Sequence, residues 1–364
     1  MELHLLGGFL GSGKTTVIIQ AARLLTERGQ RVGIITNEQG RHLVDTGFIN
    51  SGSLTALEVT GGCICCHLDD FEERIEEISE RFAPQVIFAE SVGSCTDLVA
   101  TVIKPLSDYR KTSATPTSLS VFTDCRLLLR YLRGQELPFS ESVIYIFEKQ
   151  IEEAGLLVVN KIDLLPPEDV DEVIRLAQTR YPGKKIRPQN SLDDNDIKGW
   201  LALIQSQENV LPTVSLDLDY DAYAAGEEKF AWLDQELELE FDDIDSGEKV
   251  SGLIMQIADA FSAKEFRIAH LKFLVKTQGQ SIKINLTGLD DACLDDQLVK
   301  VKELKYRQIS LLINAMAEGN AVLLEEQLKY FINQFCMTND ITFRETKRFT
   351  RVPGYPKPTM RIGN

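Results

Sequence analysis

The chain has 364 residues, 43% of them apolar, and a formal net charge of −16. That apolar content is enough for more than one core and excludes a disordered chain, while the long-range negative field argues against nucleic acid or an anionic membrane surface as the main partner. No stretch approaches the roughly 18 uninterrupted apolar residues of a membrane span, and Met1-Glu2-Leu3 opens straight into a strand pattern without a leader, so a cytoplasmic protein is expected.

In chain order, the first half alternates short apolar runs with amphipathic segments, the pattern of a mostly parallel sheet covered on both faces. Strands are predicted at 3–6, 32–36, 57–60, 86–89, 119–122, 156–159 and 186–188. Helices are predicted at 17–28, 71–80, 97–104, 125–133, 140–153, 167–179 and 194–205. Between the first strand and the first helix, residues 7–16 read GGFLGSGKTT, and from Gly8 to Thr15 they fit G-x-x-x-x-G-K-[ST] in the context that pattern requires. Gly8, Gly11, Ser12, Gly13, Lys14, Thr15 and Thr16 are thus the candidate phosphate site of a nucleoside triphosphate. Backbone N–H groups would surround the phosphates, Lys14 would reach the β and γ phosphates, and Thr15 would hold Mg²⁺. A Gly-rich turn capped by threonine is the plain alternative, but it leaves the register of lysine and threonine to accident.

Asn37-Glu38-Gln39-Gly40 closes the second strand, and Glu38 is a candidate metal ligand, the alternative being a solvated loop carboxylate. After the third strand comes Gly61-Gly62-Cys63-Ile64-Cys65-Cys66-His67, which gathers three of the seven cysteines on one turn. In a reducing compartment such clustering points to metal or thiolate chemistry rather than to disulfides. C-x-C-C is too tight to fill a tetrahedral site alone, but two or three thiols can hold a borderline or soft ion if another segment supplies a further ligand. The N–H groups of the following helix are expected to lower the thiol pKa values; inert cysteines packed in a turn are the alternative. Glu90-Ser91-Val92-Gly93 ends the fourth strand, where Glu90 can orient Mg²⁺ or its water. Because all these segments lie at carboxyl ends of strands, they are expected in one crevice. His42, Asp45, His67 and Asp124 are second-rank candidates.

Residues 156–163 read LLVVNKID, an apolar strand ending in N-K-x-D. The Asp163 carboxylate can accept both the ring N–H and the exocyclic amine of guanine, with Asn160 and Lys161 steadying the loop, whereas adenine offers no such donor pair. A helix cap after a strand is the alternative. Ser191, in Asn190-Ser191-Leu192, is a candidate to close over the base.

Residues 211–250 are rich in acids and read as a linker or solvated edge, with Leu237, Leu239 and Phe241 alternating as a possible strand. Over 251–350, strands at 252–261, 280–286, 308–316 and 341–350 and helices at 263–276 and 321–335 suggest a ferredoxin-like plan whose open face could dock a partner. Residues 351–364 form a proline-rich tail that should lie extended. The expected fold is therefore a doubly wound, mostly parallel α/β P-loop domain over 1–210, followed by a smaller α+β domain.

GGFLGSGKTT, NEQG (37–40), GGCICC (61–66), the ES-G element (90–93) and NKID (160–163), in this order, make the chain similar to the CobW-like GTPases, a group near UreG and HypB. The resemblance covers residues 1–210. It implies Mg·GTP at Gly11 to Thr16 with guanine read by Asp163, hydrolysis to GDP assisted by Lys14, Thr15 and Glu90, and Zn²⁺ or Co²⁺ at Cys65 and Cys66 with Cys63 and Glu38 nearby. It further implies a metallochaperone that serves zinc homeostasis or cobalamin synthesis. A metal-requiring client protein docking on the C-terminal domain is expected, and the oligomeric state is left open, with a nucleotide-dependent dimer among the options. A GTP-dependent regulator or scaffold with little hydrolysis, and a small-molecule kinase, are the competing classes; a kinase would have no use for the cysteines. Three departures stand out. Residues 90–97 read ESVGSCTD where the family carries a Thr or Ser pair and then Leu-Ala-Asp-Pro, residues 38–40 read EQG for Glu-Phe-Gly, and with four histidines there is no His-rich tract.

Overall fold

The structure, a computed structural model, describes residues 1–37, 56–59, 63–109, 112–206, 210–242, 245–262, 266–287 and 294–364. The described residues fall by contacts into two units, those up to Gly226 together with Tyr355–Asn364, and those of Glu227–Gly354.

The first unit is built on a parallel sheet of β1 (Glu2–Gly8), β2 (Val32–Asn37), β3 (Ala56–Val59), β4 (Val86–Glu90), β5 (Thr115–Asp124), β6 (Leu156–Asn160) and β7 (Lys185–Gln189). The spatial order is β3-β2-β4-β1-β5-β6-β7. Every strand read from the sequence for this unit is there. Helices cover both faces, so a run such as Leu156 to Val159 is buried throughout and reads as continuous apolar sequence. β1 pairs with β4 on one side and β5 on the other, so the loop leaving β1 sits where the strand order reverses. That loop runs into helix α1 (Lys14–Glu27), and helix α2 (Leu68–Phe82) follows the cysteine turn. The expected helix at 97–104 is instead a π-helical turn, Val99–Ile103, leading into helix α3 (Lys104–Asp108).

The second unit is α+β with a five-stranded antiparallel sheet in the order β10-β9-β11-β8-β12. Its strands are β8 (Phe230–Phe241), β9 (Arg267–Lys276), β10 (Ser281–Leu286), β11 (Gln308–Glu318) and β12 (Ile341–Arg351), with helices at Ser246–Ser262, Leu294–Lys302 and Ala321–Thr338.

Three sequence expectations need correction here. Residues 252–261 are helical, because Val250, Leu253, Ile254, Ile257, Ala258 and Phe261 are buried at the spacing of one helix face. Residues 267–276, expected as helix, form a strand with Ala269, Leu271, Phe273 and Val275 alternating into the core. Nor is 211–250 a linker or edge: β8 lies between β11 and β12, with Leu233, Leu237, Leu239 and Phe241 buried. Its acids Glu236 and Glu238 face Lys347 and Arg344 of β12 across the ladder, and Lys347 Nζ is 3.3 Å from Glu236. The strand-helix-strand-strand-helix-strand run consequently begins at Phe230, and a further helix and strand follow it.

Among the described residues no helix is long and apolar enough to cross a membrane.

Candidate functional site: a phosphate loop and a thiol cluster on one sheet

The backbone of the phosphate loop needs glycine at two points. Gly8 has φ +124° and a side chain there would meet the Phe122 carbonyl oxygen at 2.1 Å; Gly13 has φ +96° and would meet Asn160 Nδ2 at 2.4 Å. The loop closes around Lys14, whose Nζ donates to the carbonyls of Gly8 at 2.7 Å and Phe9 at 3.3 Å. Thr15 Oγ1 lies 3.1 and 2.9 Å from the two carboxylate oxygens of buried Glu90. A hydroxyl and a carboxylate side by side at a helix N-terminus suit a hard, oxygen-seeking cation such as Mg²⁺. Ser12 Oγ is buried with no hydrogen-bond partner among the described residues, a polar atom that a ligand oxygen would satisfy. Gly11 has φ +72° in the same turn, and Thr16 is half-buried on α1.

The N-K-x-D segment is tied to this loop directly. Asn160 Nδ2 donates to the Ser12 carbonyl at 2.7 Å, and its Oδ1 accepts from Ser191 Oγ at 2.6 Å. Ser191 therefore props Asn160, and Gln189 Nε2 donates to Ser191 Oγ at 3.1 Å. Lys161 takes φ +62° and places Nζ 3.2 Å from Asp124, whose own carboxylate accepts from Arg126 at the start of the helix Cys125–Leu132. Burial pushes the Asp124 acid up, but these cations outweigh it and hold it below its ordinary value. Asp163 stands exposed in the short turn Ile162–Leu164.

The cysteine turn is fixed by a residue the sequence reading passed over. At the end of β2, Asn37 Nδ2 donates to Val59 O at 3.0 Å, and Asn37 Oδ1 accepts from the Ile64 N–H at 2.9 Å. The Cys66 and His67 N–H groups both reach the Cys63 carbonyl at 3.0 Å, which coils the turn so that the sulfurs of Cys63, Cys65 and Cys66 lie within 4.8 Å of one another. Cys65 and Cys66 sulfurs are 3.8 Å apart, and Cys65 is 3.3 Å from the sulfur of Cys95, which the sequence offered only as part of the departing 90–97 segment.

The expectation of lowered thiol pKa values is overturned. Contacts with the other thiols, and then burial, push Cys65 well up; the contact with Cys63 and burial take Cys66 to about 12 against the relief from Cys65. For Cys63 the hydrogen bonds of Cys65 and Cys66 pull down, yet Cys95 and burial win. Crowded, buried thiols cannot share one more negative charge.

Residues of the tail lie against this turn. The Thr359 N–H reaches the Cys65 carbonyl at 3.3 Å, Thr359 Oγ1 donates to the Cys66 carbonyl at 3.0 Å, and Arg361 Nε is 2.7 Å from Asp97. Among the second-rank candidates, His67 pairs with Asp70 at 3.3 Å on α2. Glu38, His42 and Asp45 lie outside the described residues.

Against known proteins, the CobW/HypB/UreG nucleotide-binding domain matches residues 2–187. A protein named zinc chaperone CobW from Sinorhizobium sp is 32% identical over 180 residues, 43% of this chain and 50% of that one. The zinc-regulated GTPase metalloprotein activator 1 of Dictyostelium discoideum is 24% identical over 226 residues, 53% of this chain and 46% of that one. This chain thus spans about half the length of these curated relatives. A nickel-bound HypB from Helicobacter pylori superposes with a TM-score of 0.42 at 14% identity, over 59% of this chain and 92% of that one. With the family's domain matched across more than half its length, and the phosphate loop, N-K-x-D segment and cysteine turn set on one parallel sheet, this chain belongs to the CobW/HypB/UreG family.

Proposed function

We propose that the protein is a GTP-hydrolysing metallochaperone that carries a transition metal of the zinc or cobalt class to a client protein or cofactor pathway. The observation that carries this reading is a single segment: β4 ends in Glu90, which faces Thr15 of the phosphate loop, and five residues later Cys95 touches the thiol cluster. Gly8, Gly11 to Thr16 and Lys14 in particular bind the triphosphate, and Asp163 reads guanine, with Asn160, Lys161 and Ser191 holding its loop. Mg²⁺, when bound, neutralises charge on the β and γ phosphates and is held by Thr15 with Glu90. Lys14 and backbone N–H groups stabilise charge developing on the γ phosphate, which makes hydrolysis a matter of positioning and slow without a partner. Cys63, Cys65 and Cys66 hold the cargo ion, for which thiolates select against Mg²⁺. The client is a metal-requiring protein that docks on the second unit.

The relatives this chain matches, a zinc chaperone and a zinc-regulated GTPase metalloprotein activator, support this reading. Linkage gives the test. A chromophoric chelator competed against apo, GDP and non-hydrolysable GTP forms should find metal affinity differing by about 5- to 150-fold between nucleotide states. Equal affinity in all three forms would reject nucleotide-driven delivery and leave a GTP-dependent regulator.

A further inference from the structure

We infer that Cys95 is the fourth thiolate of one transition-metal site, completing a tetrathiolate set with Cys63, Cys65 and Cys66. The inference rests on the metallochaperone reading but is narrower than it. Metal at the C-x-C-C turn could exist without Cys95, whereas Cys95 has this role only if the turn binds metal.

A turn that supplies three sulfurs from four consecutive residues presents them on one side of an ion, so the remaining tetrahedral corner must come from elsewhere in the chain. Metal–sulfur bonds of about 2.3 Å set sulfurs about 3.8 Å apart at the corners of a tetrahedron. Cys65 and Cys66 stand at 3.8 Å, and Cys63 is within 4.8 Å of both. Cys95 approaches from the far segment to 3.3 Å from Cys65 but stays outside the set of three sulfurs that lie within 4.8 Å of one another, so closing the site asks its thiol to swing off Cys65 and toward the other two.

Cys95 is also held as a ligand should be. Its N–H closes a turn onto Val92 O at 2.9 Å. From the helix Glu141–Glu153, Gln150 Nε2 donates to the carbonyls of both Gly93 and Cys95 at 2.9 Å. One turn further on, Glu153 accepts the Val99 N–H at 2.7 Å, and the next residue, Thr96, donates its N–H to Tyr223 at 3.4 Å. Cys95 is 1% exposed and Gln150 2% exposed, so this scaffold is packed rather than solvated. Backbone supports on both sides of a buried thiol fix its direction before any ion arrives.

The binding step balances simply. Four S–H bonds break, four protons leave to solvent, and a divalent ion gains four metal–sulfur bonds to give a dianionic centre, with no change of oxidation state. Four thiolates suit Zn²⁺ and other borderline or soft ions, and they give oxygen-seeking cations no ligand. Glu90 and Cys95 share one segment, so a shift of Glu90 on the nucleotide side is transmitted to one of the four sulfurs.

X-ray absorption on the zinc-loaded full chain should count four sulfurs, and Co²⁺ loading should give intense tetrahedral d–d bands with sulfur-to-cobalt charge transfer. Cys95→Ser should drop the count to three sulfurs plus one lighter atom and weaken zinc in chelator competition by roughly tenfold or more. Cys336→Ser, at a buried thiol of the second unit, should change neither. If Cys95→Ser keeps the wild-type count and affinity while Cys65→Ser loses both, Cys95 is overturned and the metallochaperone reading stands. If no cysteine variant alters either readout, the metal reading itself fails. Should Cys95→Ser not fold, judged by its GTP affinity, the wild-type count still decides: three sulfurs overturn the inference and four support it.

Discussion

The phosphate loop and the thiol cluster stand on the same sheet but hold their reactive groups in opposite ways. In the loop each polar side chain rests on a unlike partner: Lys14 on carbonyls, Thr15 on a carboxylate, Asn160 between Ser12 and Ser191. In the cluster the sulfurs rest largely on one another, and crowding keeps their protons on. On the loop side a bound phosphate would exchange contacts these groups already make for its own oxygens. The thiol side is organised in its neutral form and becomes a strong ligand set only when a cation displaces protons.

The sharpest way to separate the two is Asp163→Asn. It should exchange the preference for GTP over xanthosine triphosphate by on the order of 10⁴-fold, read by calorimetry, because the amide keeps one acceptor but presents an NH₂ donor where the second guanine N–H needs an acceptor. Zinc affinity of the nucleotide-free protein should not move, and a variant still preferring GTP would remove Asp163 from the base site.

Glu153 tests whether neutral burial extends beneath the cluster. Burial raises its pKa from the ordinary 4.5 to about 7. The folded state therefore binds the proton more tightly than the unfolded chain, so its contribution to stability is full below about 4.5 and is lost as pH rises through about 7. Glu153→Gln keeps an oxygen for the Val99 N–H without the charge. Chemical denaturation should find it more stable than the parent at pH 8 by roughly 3 kcal/mol and nearly equal at pH 4; an unchanged slope with pH would assign the pH dependence to other groups.

Asn37→Ala removes the two hydrogen bonds that seat the cysteine turn on β2 and β3. A loss of about 2 kcal/mol in stability is expected, with weaker zinc binding and GTP affinity preserved. Equal damage to both ligands would show that the two regions are not separable. The smallest effect is expected from Thr359→Val, which deletes the hydroxyl contact to the Cys66 carbonyl and should cost about 0.5 kcal/mol at an exposed site. Amide exchange at Leu68, whose N–H reaches the same hydroxyl at 3.4 Å, should quicken.

The second unit shows where sequence reading lost its hold. Over 252–261, GLIMQIADAF is apolar at so many positions that periods of 2 and 3.6 both fit, and only the packed face Leu253, Ile254, Ile257 and Phe261 decides for helix. The alternation at Leu237, Leu239 and Phe241 suggests a strand from sequence, but the acids between them read as linker or solvated edge because the bases that oppose them, Arg344 and Lys347, are more than a hundred residues away.

Within the site the division follows the same physics. The sequence patterns of the phosphate loop and of N-K-x-D are local: glycines at φ angles other residues avoid beside Lys14 and Thr15, and Asn160, Lys161 and Asp163 within four positions. The three thiols of 63–66 were legible for the same reason. That Cys95 joins them, that Asn37 seats them, and that their protons are held on rather than shed depended on β2, β3 and β4 lying near one another in the sheet and on a helix packing beneath Gly93 and Cys95. Backbone preference reaches only a few residues along the chain, whereas burial and the approach of two sulfurs thirty positions apart exist only once the strands have taken their order.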